Sequence, residues 1–172
     1  FHDTRRIVHF RHIRHERIAD LAAGLDALVS AGYRFRSFTI DGRPGFIKTL
    51  KARFPGTPVQ MCHFHQRAII RRYITNNPKT ACAQDLKQHM HNFGKPTPQT
   101  WIDDLHELKQ YYRDFLAERN EAGGYKHRRV RSAFRSLENN LPYLFVCHDM
   151  PELLIPATTS QLEGVFAHIK EK

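Results

Sequence analysis

The stretch from Arg34 to Ile74 constrains the fold most. Arg34 to Ile40 is a β-prone run that passes directly into Asp41-Gly42, and Phe46, Ile47, Leu50 and Phe54 then describe a short helix that Pro55-Gly56 closes. A second β-prone run follows through Val59, Met61 and Phe64, and Ile69, Ile70, Tyr73 and Ile74 mark another helix. This alternation of strand and helix predicts a sheet with parallel neighbours, flanked by helices. It also places Asp41 at the carboxyl end of a strand, where open α/β sheets carry their chemistry.

Upstream, Ile7, Val8, Phe10 and Ile13 stand among basic residues and predict a further strand over residues 5 to 13. Ile18, Leu21, Ala22, Leu25, Leu28 and Val29 form one helical stripe, stopped by Gly32. The character changes at Asn76-Asn77-Pro78. From about 79 to 148 every periodic segment reads as helix. Thr97-Pro98 is an N-cap followed by proline at the first helical position, and Trp101, Leu105, Leu108, Tyr112 and Phe115 keep one face apolar until Asn120. Val130, Phe134, Leu137 and Leu141 then mark one side of a helix whose other side carries Arg128, Arg131 and Arg135. Pro151 and Pro156 bound a linker, and Leu162, Val165, Phe166 and Ile169 predict a last helix. The expected organisation is a unit formed by residues 1–75 and 151–172, with 76–150 as a helical insertion.

Composition narrows the classes. A chain of 172 residues can bury a full core, and with 41% apolar residues it has no run near the roughly 18 a membrane helix needs. The expectation is a protein without a membrane span. Cys62, Cys82 and Cys147 are odd in number and widely spaced, which argues against a disulfide framework and for a reducing, cytoplasmic location. Lysine and arginine exceed acidic residues by 27 − 17 = 10, before 12 histidines are counted. Such a surface suits phosphate. Clusters at Lys126–Arg131 and among Arg5, Arg6, Arg11, Arg14 and Arg17 would release counterions on a nucleic acid, although a charge run is more often a solvated face. No Gly-rich phosphate loop occurs, which argues against an NTPase.

Three motifs carry candidate chemistry, each beside a plainer reading. Asp41, on a rigid strand end beside Gly42, can take a divalent cation; Asp-Gly is also a common turn pair. Glu163 sits seven positions before Lys170, so the two share a helix face, yet Ser160-Gln161-Leu162-Glu163 also fits a capping box. Cys62 and His65 supply half of a zinc site, but no second pair stands at ligand spacing, so a packed strand end is the favoured structural role for both.

Taken together, Phe38-Thr39-Ile40-Asp41-Gly42, Phe54-Pro55 and Val59-Gln60-Met61-Cys62-His63-Phe64-His65-Gln66 resemble the second-aspartate region of DDE transposases of the bacterial insertion-sequence and Mutator-like superfamily. Thr158-Thr159-Ser160-Gln161-Leu162-Glu163-Gly164, with Lys170 after it, resembles the segment bearing their third acidic residue. The resemblance implies an α/β fold: a ribonuclease-H-like mixed sheet with flanking helices, interrupted by an all-α insertion. It implies three carboxylates holding two Mg2+ (or Mn2+) ions, with Asp41 second and Glu163 third. Lys170 would contact DNA near the reacting end, and Arg128, Arg129 and Arg131 would hold its backbone. The implied activity is cleavage and joining of phosphodiesters at transposon ends, on double-stranded DNA, in a nucleoid-associated enzyme; a homodimer is the family analogy. The family's first aspartate lies on a strand expected to precede this chain, since Asp3 comes before the strand at 5 to 13. The 172 residues are therefore expected not to cut DNA alone. A non-catalytic DNA-binding or assembly module, or a structure-selective nuclease of the same fold, are the alternatives.

Overall fold

The computed structural model describes residues 17–160, together with His9 and His15. The expected strand at 5 to 13 and the helix carrying Glu163 and Lys170 lie outside the described residues. Helix α1 spans Ile18–Ser30, strand β1 Phe38–Ile40, helix α2 Pro44–Arg53, strand β2 Val59–Met61 and helix α3 His63–Ile74. Then come α4 (Ala81–His91), α5 (Pro98–Tyr111), α6 (Arg113–Ala117), α7 (Arg128–Leu144) and α8 (Val146–Asp149), with a 3-10 turn at Pro151–Leu153.

The two strands pair in parallel, with Phe38 opposite Val59 and Ile40 opposite Met61, as the strand-helix-strand alternation predicts. The larger expectation fails. Instead of a ribonuclease-H-like mixed sheet with flanking helices, the described residues form a mostly helical molecule with one sheet of two three-residue strands. The cause is local at each strand end. β1 stops at Gly42, whose φ of +82° turns the chain into α2. β2 stops because Cys62 acts as N-cap and His63 already begins α3, so Phe64 and His65 belong to a helix and not to a strand.

Helical capping follows the sequence closely. The Thr97 hydroxyl accepts from the Thr100 N–H at 3.2 Å, and Pro98 fills the first position of α5. The long helix expected from Thr97 to Phe115 breaks at Tyr112, and α6 restarts at Arg113 with Leu116 buried. There the Tyr112 hydroxyl donates to Asp85 of α4 at 2.5 Å, and the accepting carboxylate pushes the phenol up to about 12.

Two apolar clusters hold these elements. One joins Phe38, Ile40 and Val59 of the strands to Ile47 and Leu50 of α2, with Phe35 and Phe54 closing its edge. The other is larger and runs without a seam from Met61, Ile70 and Ile74 through Leu86, Trp101, Leu105, Phe134 and Leu137 to Phe145. The helices after residue 76 therefore share a core with β2 and α3. Among the described residues no helix is long and apolar enough to cross a membrane.

Candidate functional site

Asp41 stands where β1 ends, and its backbone is fixed from behind. A side chain on Gly42 would meet Met61 at 2.2 Å, and its φ of +82° disfavours any other residue, so the Asp41-Gly42 corner is pressed onto β2. The Asp41 carboxylate itself is exposed, and one oxygen accepts the Arg43 N–H at 3.3 Å, the geometry of an Asx turn. The plain turn role and an outward-facing carboxylate thus coexist.

The end of β2 is built of buried polar groups. Gln60, fully buried, donates from Nε2 to the carbonyls of Met61 (2.7 Å) and Leu144 (2.8 Å) and accepts the Cys147 N–H at 2.9 Å. The Leu144 carbonyl lies at the end of α7, where helical partners run out, and it also receives His63 Nε2 at 2.5 Å. Burial lowers the pKa of His63 against the opposing pull of that hydrogen bond, so the ring is neutral and Nε2 carries the proton it donates. Gln66 Oε1 accepts from Asn140 of α7 at 2.8 Å. His65, on the same helix, packs its ring edge-on against Phe64 at 5.6 Å.

The C-terminal segment returns across both strand ends. The Thr39 hydroxyl donates to the Pro156 carbonyl at 2.8 Å, and the His63 N–H donates to the Ala157 carbonyl at 2.9 Å. The Thr159 N–H and hydroxyl each donate to Cys62 Sγ at 3.3 Å. Cys62 is fully buried and acts here as an acceptor that seats this segment. Residues 156–159 are therefore fastened to the sheet end that carries Asp41. Glu163 and Lys170 follow this segment and lie outside the described residues.

Asp41 offers the carboxylate oxygen that Mg2+ and Mn2+ take. Among the described residues no three His, Cys, Asp or Glu side chains gather into a metal-binding group, and Cys62 and His65 have no further zinc ligands beside them.

The arginines at the start of α7 are tied to the protein. Arg128 Nε donates to the Tyr125 carbonyl at 3.3 Å, Arg129 Nη2 to the Arg72 carbonyl at 2.5 Å, and Arg131 Nη1 to the Leu116 carbonyl at 2.5 Å. Arg131 and Arg119 also lie over the Tyr125 ring at 3.4 and 3.6 Å. Arg128 and Arg129 remain exposed, and Arg131 is half-buried.

Thr39 and Gln60 are functional anchors that no sequence motif singles out. Their signal was available: a polar residue between Val59 and Met61, in a strand buried on both faces, must find buried partners. No family model matches the chain, and neither a curated protein nor a solved structure matches it.

Proposed function

We propose that the chain is part of a metal-dependent enzyme that cleaves and joins DNA phosphodiesters in the manner of a DDE transposase, with Asp41 and Glu163 as two of its carboxylates. The observation that carries this reading is the docking of residues 156–159 across the strand ends, which leads the chain toward Glu163 from the edge where Asp41 is displayed. The net charge of +10 supports a polyanionic partner, double-stranded DNA. The reading draws on these residues and not on the sheet, which is too small to argue for the family's fold.

Within it, the residues divide the work. Gly42 and Met61 fix the corner that holds the Asp41 carboxylate outward, and Cys62 with Thr159 fixes the approach of the segment before Glu163. Mg2+ or Mn2+ bound between such carboxylates would activate the attacking oxygen and stabilise the leaving one. The plainer reading, a DNA-binding module in which Asp41 is only a turn residue, is favoured by the Arg43 N–H contact.

Calorimetric titration with Mn2+ separates them. The expected outcome is binding by the native chain that weakens at least tenfold in both Asp41→Asn and Glu163→Gln. No binding by the native chain, or binding that neither substitution weakens, would reject the carboxylate site and leave the module.

A further inference from the structure

A groove of about 640 Å³ lies between α2, α3 and α7, and its α7 lining begins at Ser132, directly after the arginines that open the helix. Its described lining includes Lys48 and Lys51 from α2 and Arg135 from α7, with Ser132, Ser136 and Asn139 beside them, and no carboxylate. Of the three, Lys51 lies over the Tyr143 ring. Arg53, Lys109 and Lys126, by contrast, pair with Asp26, Glu138 and Glu118. Among the described residues no ion pair engages Lys48, Lys51 or Arg135.

Gathering like charges from helices 87 positions apart in sequence (135 − 48) is unfavourable unless something neutralises them. The shape of the site says what kind of anion. Ser132, Arg135, Ser136, Asn139 and Tyr143 recur at i, i+3, i+4, i+7 and i+11, a stripe along one side of α7. At 1.5 Å per residue it extends about 16 Å, while one strand of DNA presents a phosphate about every 3.4 Å of helix axis, so the stripe matches several phosphates and exceeds a single one. The hydroxyls and amide supply the neutral donors that phosphate oxygens take alongside cations. The two aromatic rings of the lining, Tyr73 and Tyr143, pack partly buried against the apolar clusters, and Lys51 Nζ lies 5.1 Å from the Tyr143 ring centroid.

We infer that the α2–α7 groove is a sequence-independent DNA site that holds the phosphate backbone of a duplex through Lys48, Lys51 and Arg135. It adds a binding track to the DNA reading above and leads away from Asp41 along α2, whose first residue follows that carboxylate by three positions.

The test is fluorescence anisotropy of a labelled duplex of mixed sequence, about 20 base pairs long, titrated from 50 to 200 mM salt. With Lys48→Gln, Lys51→Gln and Arg135→Gln combined, the expected results are affinity at least tenfold weaker at low salt and a log K against log salt slope smaller by two to three, close to the ~0.9 per lost phosphate contact. The charge-keeping set Lys48→Arg, Lys51→Arg and Arg135→Lys should hold the native slope, which separates lost charge from lost folding. Native affinity and slope in the neutral variant would overturn the inference, as would no duplex binding by the native chain. Equal affinity for single-stranded DNA, or displacement of the duplex by millimolar inorganic phosphate, would overturn the duplex assignment. Mn2+ binding that depends on Asp41 and Glu163 is read separately, so the groove can fail while the carboxylate site stands, and the reverse.

Discussion

At the carboxyl end of β1 the side chain of Asp41 faces solvent and is bonded to one nearby backbone N–H, whereas at the end of β2 the side chains of Gln60, Cys62 and His63 are buried and bonded to residues 81 to 97 positions away. The two ends adjoin in one parallel pair. The difference teaches that a motif read as one functional unit is divided physically: one strand presents a group, and its neighbour spends nearly all its polar residues fastening α7, α8 and the C-terminal segment. The exposed end depends on the anchored one through Gly42, which rests on Met61.

Substitution can break that contrast. Gly42→Ala is expected to cost most, roughly 2–4 kcal/mol, because the added methyl meets Met61 and the positive φ is strained for alanine. Urea unfolding measures it, and a loss under about 1 kcal/mol would show that the corner can relax. Gln60→Leu should cost about 2–3 kcal/mol by leaving the half-buried Cys147 N–H without its acceptor and removing two donors to the Met61 and Leu144 carbonyls. If the urea midpoint hardly moves, α8 is held by packing alone.

Acid should act on buried histidines and spare the displayed end. Burial lowers His63, and it brings His89, tilted against Trp101 with ring centroids 4.3 Å apart, from 6.5 down to about 4. In both cases the unfolded chain binds a proton that the folded chain refuses, so stability is full above about pH 6.5 and falls as pH drops toward 4. His89→Phe should flatten part of that decline in midpoints measured across the range; an unchanged pH profile would remove His89 from the account. Asp41→Asn should change stability least, by less than about 0.5 kcal/mol, since the amide oxygen still accepts from Arg43. A larger loss would mean that the carboxylate is structural after all.

How much of this was legible in the sequence depended on the range of the interaction. Helices α1, α2, α3, α5 and α7 follow from apolar stripes such as Val130, Phe134 and Leu137, whose spacing is set within a few residues. The parallel pair followed from alternation alone. The size of the sheet did not, because a resemblance in short motifs says nothing about how many strands surround them. Phe64 and His65 read as strand because β-prone residues precede them, yet the N-cap at Cys62 starts the helix one residue later. At the candidate site the exposed Asp41 corner was readable from Asp-Gly. The seating of Thr159 on Cys62 was not, since nothing local to either residue announces a partner 97 positions away.

That separation has a kinetic side. The Thr39–Pro156 and Cys62–Thr159 bonds close loops of 117 and 97 residues, while the helices between them close shorter ones, from the neighbours α4 and α5 to α3 on α7 across the 74 positions between Gln66 and Asn140. Closing a loop of that length costs entropy before any contact offsets it, so the intervening helices can collapse early and the strand ends should be covered last. Pulse-labelled hydrogen exchange during refolding would register this as Thr159 N–H protection trailing that of α7. The edge carrying Asp41 would then be the final part of the molecule to acquire its native surroundings, and the first to lose them.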